Sequence, residues 1–114
     1  MLMANSLIKM GNEFLQLEGE IIKVIKTIFD PEIPVNVYDL GLIYEIDVDE
    51  EGKARIVMTL TSPNCPVAES LPEEVHDKVA AIDGIKSVDL NLTFDPPWTK
   101  DMLSEEALLE LGLL

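Results

Sequence analysis

The segment that most constrains the fold is a predicted β-hairpin near the middle of the chain. From Leu42 to Val48 apolar and polar side chains alternate, which is the pattern of a half-buried strand. Asp49-Glu50-Glu51-Gly52 follows as a short hairpin loop with glycine at its end. A return strand is predicted from Lys53 to Thr61. Such a hairpin has one apolar face, which the rest of the chain must cover.

The alternation also predicts which side chains face the core. In the first strand these are Leu42, Tyr44, Ile46 and Val48, with Ile43, Glu45 and Asp47 on the opposite face. In the return strand they are Ala54, Ile56, Met58 and Leu60. A third strand is predicted from about Lys86 to Phe94, and its inward side chains are Val88, Leu90, Leu92 and Phe94.

Helical periodicity occurs on both sides of the hairpin. The first helix is predicted from Glu13 to Phe29, where apolar residues recur at three- and four-residue steps, and Asp30-Pro31 ends it. A second helix is predicted between Pro66 and about Ile82. Because Pro72 falls inside it, we expect one short turn at 66–70, then a bend and the main helix. A last helix, from about Ser104 to Leu111, ends at Gly112. The inner side chains of the first two helices are Phe14, Leu17, Ile21, Ile25 and Ile28, then Leu71, Val75, Val79 and Ile82.

This order predicts an α+β fold: a two-layer α/β sandwich of helix, hairpin, helix, strand and helix around a three-stranded mixed sheet. The 114 residues fit one domain. We expect a flexible leader at 1–12 and a single domain at 13–114. The loop at residues 30–41 is apolar and should pack down, with Asp30, Glu32 and Asp39 as its charged exceptions.

Composition excludes several partners. The chain has 22 acidic and 8 basic residues, a net charge of −14, which disfavours nucleic acid and anionic membranes. A single cysteine excludes an intrachain disulfide and fits a reducing compartment. No signal peptide or membrane-spanning run is visible. A cytoplasmic location is therefore expected.

Cys65 is the first candidate for chemistry. It lies between two prolines, after a strand end and before a helix start, where backbone N–H groups stabilise a thiolate. A reactive or metal-binding thiol is one reading, and a small buried apolar residue is the other. The only histidine, His76, lies eleven residues further along, roughly 16 Å if the segment is helical. This distance argues against a Cys/His hydrolase and favours a solvated His76.

Other candidates lie in the loops. Asp30 and Glu32 could form a mixed oxygen and sulfur site with Cys65, or Asp30 could cap a backbone amide while Glu32 is solvated. Thr61 could bond the thiol or its turn, or simply end its strand. Trp98, after Pro96-Pro97, could plug the core or anchor a partner.

Three motifs carry a resemblance to a known family. They are Asp30-Pro-Glu-Ile-Pro-Val-Asn-Val-Tyr-Asp-Leu-Gly-Leu-Ile-Tyr44, Leu60-Thr-Ser-Pro-Asn-Cys-Pro66 and Phe94-Asp-Pro-Pro-Trp98. With these motifs in this order, the chain resembles the SufT/PaaD-like family of metal–sulfur cluster biosynthesis proteins from about Glu18 to Gly112. That family includes the small subunit of the eukaryotic cytosolic iron–sulfur targeting complex.

The resemblance implies a fold like the C-terminal domains of iron–sulfur assembly scaffolds. It also implies an adaptor or transient carrier that helps deliver clusters to client apoproteins, without turnover of its own. Cys65 would be the reactive thiol, supported by Asp30, Glu32 and Thr61, with Pro97 and Trp98 as a candidate partner surface. One thiolate cannot hold a cluster that takes about four ligands, so no stable metal site is expected on a monomer.

The expected partners are iron–sulfur assembly proteins and client apoproteins, and a homodimer stays open. Two alternatives also stay open. The chain could be a protein-interaction module with a structural Cys65, or an accessory maturation subunit of a multicomponent oxygenase of the phenylacetate-degradation type.

Overall fold

The computed structural model describes residues 16–30, 33–61 and 70–112. Over these residues a three-stranded sheet with strand order β1-β2-β3 packs against helices. Strands β1 and β2 are antiparallel, and β2 and β3 are parallel. The α+β fold with a mixed sheet is therefore confirmed. The elements are α1 (16–25), β1 (Ile43–Val48), β2 (Lys53–Met58), α2 (Ser70–Ala80), β3 (Ser87–Leu92) and α3 (Glu105–Glu110).

The predicted apolar stripe of α1 is confirmed, but its predicted end at Phe29 is wrong. Ile21, Ile25 and Ile28 are fully buried in the core. The helix ends at Ile25, because the next turn tightens: the N–H of Ile28 donates to the oxygen of Ile25 at 3.0 Å. Phe29 then leaves the helix and forms a bridge with Asn36. Residues 13–15 of the predicted helix lie outside the described part of the chain, as does the predicted leader at 1–12.

The hairpin forms as predicted. One carboxylate oxygen of Asp49 accepts bonds from the backbone N–H groups of Glu51 (2.9 Å) and Lys53 (3.0 Å), which closes the loop. Strand β2 ends at Met58, three residues before the predicted end at Thr61. Its four core-facing residues are all buried, as the alternation predicted: Ala54, Ile56, Met58 and Leu60.

Strand β1 contains a bulge that the alternation did not predict. Ile43 is opposite Met58 and Glu45 is opposite Val57, so Tyr44 is the extra residue. The predicted orientation of Ile43, away from the core, is therefore wrong. An extra residue shifts the two-residue period, and Ile43 packs against the core instead.

Helix α2 buries Leu71, Val75 and Val79, as predicted. The expected turn at 66–70 lies mostly within residues 62–69, outside the described part of the chain. Strand β3 ends at Leu92, and the predicted burial of Leu92 and Phe94 is wrong because each is 39% exposed. The physical reason is position: β3 is at the edge of the sheet, and no described strand lies on its outer side.

The last helix agrees with its prediction. The Ser104 hydroxyl accepts a bond from the N–H of Ala107 at 3.1 Å and so caps α3. Gly112 follows the helix with φ of +72°, the left-handed conformation typical of a helix end. A 3-10 turn at Lys100–Met102, which was not predicted, precedes α3.

Candidate functional site

The described parts of the three motifs lie at one end of the sheet. Backbone hydrogen bonds join the described parts of these motifs, or the residues next to them, into one series. The series begins at Ile28, just after α1, and ends at Thr93, the residue after β3. These bonds run from Val37 N to Ile28 O (2.8 Å), Leu42 N to Val37 O (3.1 Å), Thr59 N to Leu42 O (2.8 Å) and Thr93 N to Met58 O (2.8 Å). Segments as far apart in sequence as Ile28 and Thr93 therefore form one framework.

Asp30 is buried at the start of the first motif, with 4% of its surface exposed. Its carboxylate accepts a bond from the backbone N–H of Ile33 at 3.2 Å, and its own N–H donates to the oxygen of Val35 at 3.3 Å. This is the capping geometry that the sequence left open as one role for Asp30. Glu32 lies outside the described residues, so its position relative to Asp30 stays a prediction.

A buried polar pair holds the turn that follows. The Asn36 side-chain amide donates to the Asp39 carboxylate at 2.7 Å, and the N–H of Asp39 donates back to the Asn36 side-chain oxygen at 2.9 Å. Both residues are 7% exposed. The sequence reasoning missed Asn36, although asparagine side chains that bond to nearby backbone groups are common in turns. The predicted packing of this loop is confirmed, since Val35, Val37 and Leu40 are fully buried.

Thr61 is half-buried and is the last described residue before the segment at 62–69 that contains Cys65. Thr59, two residues earlier, is fully buried. Cys65 itself lies outside the described residues. A bond between the Thr61 hydroxyl and the thiol, or the turn around it, therefore stays a prediction.

The third motif closes over the first. The indole Nε1 of Trp98 donates to the oxygen of Leu40 at 2.6 Å, and Tyr44 Oη donates to the oxygen of Pro96 at 2.8 Å. Trp98 is half-buried against the core, whereas Pro97 is exposed. The Asp95-Pro96 peptide bond is cis. The two residues remain a predicted partner surface, with Trp98 also serving the core.

Gly41 permits this close approach. Its φ is +81°, and a Cβ added there would lie 2.8 Å from the Cβ of Met102 and closer still to the Met102 carbonyl oxygen. The N–H of Ser104 also donates to the oxygen of Asp39 at 2.9 Å. The segment from 95 to 104 is thus fastened to the 36–44 region at several points.

His76 is exposed on α2, with its Nδ1 3.0 Å from Asp77 Oδ1. The predicted solvated position is confirmed. Among the described residues, no group of three or more histidine, cysteine, aspartate or glutamate side chains could hold a metal ion. In the same residues no helix is long and apolar enough to cross a membrane.

A cleft of about 450 Å³ lies at the opposite end of the sheet, beside the hairpin loop. Its walls carry the carboxylates of Glu20, Asp49, Glu50, Glu51 and Asp83, and among the described residues Lys86 is the one basic side chain there. No described residue of the three motifs lines it. We therefore place the candidate site at the motif end of the sheet and not in this cleft.

The model of the iron-sulfur cluster assembly protein family matches residues 18–91, well over half of the chain, and the chain belongs to that family. The resemblance inferred from the three motifs is confirmed.

Individual relatives agree with this membership. The Fe-S protein maturation auxiliary factor of Porphyromonas gingivalis is 57% identical over 105 residues, which cover 92% of this chain and 100% of that relative. The Fe-S protein maturation auxiliary factor SufT of Staphylococcus aureus is 40% identical over 86 residues, 75% of this chain and 98% of SufT. In structure, a domain of unknown function from Bacillus anthracis superposes with a TM-score of 0.83 at 28% identity, covering 91% of this chain and 99% of that domain.

Proposed function

We propose that this chain is a maturation factor that presents iron–sulfur clusters transiently to client apoproteins, with Cys65 as its reactive thiol. Family membership and the names of the relatives support a role in iron–sulfur protein maturation. Those names describe auxiliary factors, which fits an adaptor without turnover of its own. The single observation that supports the finer proposal is the set of backbone bonds that join the first motif, and the residue before the third, to the end of β2, after which the Cys65 segment begins.

Chain connectivity ties Cys65 to this framework. It follows the half-buried Thr61 by four residues, and four residues span at most about 14 Å. Thr61 in turn follows Thr59, whose N–H bonds to Leu42. In this proposal the short connection keeps the thiol within reach of the first motif.

The two carboxylates of the first motif are proposed to surround the thiol. Glu32 lies in sequence between Asp30 and Ile33. The Ile33 N–H donates to the Asp30 carboxylate, so the two residues that flank this stretch are held together. A carboxylate near the thiol would restrain thiolate formation through like-charge repulsion. It would also offer an oxygen ligand to incoming iron.

The cluster is cargo and not a resident cofactor in this proposal. The chain has one cysteine, whereas clusters normally take about four protein ligands. The remaining ligands must come from a second copy, a partner or a small thiol. Such shared ligation makes release to a client easy, because no single chain holds the cluster.

Anaerobic reconstitution with iron and sulfide tests the proposal. We expect a labile chromophore that elutes with an oligomer and disappears in Cys65→Ser. His76→Gln, a change at an exposed residue on α2, serves as the matched control and should leave the chromophore intact. A stable cluster on a monomer, or identical spectra for wild type and Cys65→Ser, would contradict the carrier role and favour an interaction module with a structural cysteine.

A further inference from the structure

The two edges of the sheet differ in how they are protected. Edge strands expose unpaired backbone groups, and proteins usually shield them with bulges or charges. Strand β1 has the bulge at Tyr44 and two exposed acidic residues, Glu45 and Asp47. Strand β3 is paired regularly along all six residues and has one charged side chain, Asp89. Among the described residues no strand pairs with its outer edge.

The apolar face of β3 is incompletely covered. Its residues Val88, Leu90 and Leu92 lie beside Ala54, Ile56 and Met58 of β2, which are fully buried. Val88 and Leu90 are only half-buried, and Leu92 and the following Phe94 are each 39% exposed. A further strand on this edge would cover the exposed apolar surface with side chains of its own.

The open face of the sheet carries a row of alternating charge that stops at β3. Asp47, Arg55 and Asp89 are cross-strand neighbours on β1, β2 and β3. The Arg55 guanidinium bonds to Glu45 of β1 at 3.0 Å rather than to Asp89. Within the described part of the chain the Asp89 carboxylate has neither an ion pair nor a hydrogen bond. The next position in the row therefore favours a positive charge.

We propose that the outer edge of β3 binds an extended segment of a partner protein as a fourth strand. The segment has apolar residues beside Val88, Leu90 and Leu92, and a lysine or arginine beside Asp89. Backbone bonds along the edge supply affinity, and the alternating side chains supply specificity. This inference goes beyond the cluster role, since it needs neither Cys65 nor a cluster.

Charge argues for a foreign segment over a second copy. The net charge of the whole chain is −14, so the chain attracts a basic segment and repels another copy of itself. In a symmetric pairing of β3 with itself, the residues that share the face of Asp89 are Ser87, Asn91 and Thr93. None of these is basic, so self-pairing leaves Asp89 without a counter-charge.

The test uses the full chain and a capped peptide of sequence Ser-Val-Thr-Val-Lys-Val-Thr, which places lysine beside Asp89 in an antiparallel pairing. In a nuclear magnetic resonance titration we expect saturable shifts of amides in Ser87–Leu92. The same peptide with glutamate in place of lysine should bind about fivefold more weakly. Asp89→Lys should reverse that preference. Asp83→Lys, an equal charge change at the far end of the sheet, should preserve it.

The proposal is overturned by equal binding of the two peptides, by shifts confined to other surfaces, or by the lack of saturable shifts up to the solubility limit of the peptide. Concentration-dependent shifts of β3 in the protein alone would identify a second copy as the occupant and would also overturn it. The amide spectrum of Asp89→Lys without peptide verifies that this variant is folded. A negative result in the peptide titration would not affect the proposal for Cys65, because the reconstitution with iron and sulfide is measured without any peptide.

Discussion

The indole Nε1 of Trp98 donates to the carbonyl oxygen of Leu40 at 2.6 Å, across 58 residues of sequence. The Tyr44 hydroxyl makes the reciprocal link, four residues after Leu40, to the oxygen of Pro96. Two side chains thus cross between the same two segments in opposite directions. These contacts secure the third motif to the turn that completes the first.

Trp98→Phe removes the donor and leaves the Leu40 carbonyl without this bond. We expect a loss of about 1–3 kcal/mol in the free energy of unfolding, from the lost bond and the smaller ring. Urea unfolding measures it. Leu109→Ala, at a 62% exposed side chain of α3, is the control and should cost less than about 0.5 kcal/mol. Equal effects of the two variants would show that the indole bond contributes nothing.

Asn36→Ala removes both side-chain bonds of the buried pair. It leaves the Asp39 carboxylate and N–H without these partners, so we expect a cost of about 2–3 kcal/mol in thermal or urea unfolding. Asp39→Asn is a gentler change, because its amide oxygen can still accept from Asn36. A cost for Asp39→Asn as large as that for Asn36→Ala would mean that the charge of Asp39, and not the bonds, stabilises the turn.

Two glycine substitutions should act with opposite sign. Gly41→Ala introduces a Cβ at positive φ against Met102 and should destabilise the fold by more than about 1 kcal/mol. Gly19→Ala lies in α1 with no atom within 4 Å of the new Cβ, and should stabilise by about 0.5–1 kcal/mol. Melting temperatures of both variants verify this. If Gly41→Ala leaves the melting temperature unchanged, the segment at 100–102 can move away from the new Cβ without loss of stability.

Glu32→Gln tests the proposed surroundings of the thiol. Removing a negative charge near Cys65 should speed alkylation at neutral pH, because like charges disfavour the thiolate. At the same time cluster delivery should fall, a combination that no purely structural role predicts. Glu50→Gln, an exposed residue of the hairpin loop, is the control. If Glu32→Gln changes neither rate, Glu32 is a surface residue, and the site reduces to Cys65, Thr61 and Asp30.

The parts of the fold that follow local rules could be predicted from the sequence. The hairpin loop and the cap at Ser104 depend on residues within four positions of each other. The end of α1 at Ile25 and the bulge at Tyr44 could not, because apolar periodicity shows neither a tightened last turn nor the register of β1 against β2. The exposure of Leu92 likewise depends on its place in an edge strand, whose outer side has no neighbour among the described residues.

The candidate site shows the same division. Asp30 and Thr61 were found from motifs, and the Asn36–Asp39 pair was readable from local turn chemistry but was missed. The bonds from Trp98 to Leu40 and from Tyr44 to Pro96 cross more than 50 residues, and no short-range pattern encodes them. Sequence reasoning therefore named candidate residues, and their long-range contacts could be described only from the structure.

The rate at which Cys65→Ser delivers a cluster to an apoprotein tests the central claim most directly. Wild type, Cys65→Ser and the His76→Gln control would each be supplied with iron and sulfide anaerobically and mixed with an apoprotein whose activity requires a cluster. If Cys65 is the reactive thiol, activation by wild type and His76→Gln proceeds at the same rate, while Cys65→Ser falls to the rate of free iron and sulfide. Activation by Cys65→Ser at the wild-type rate would contradict a carrier role for this thiol.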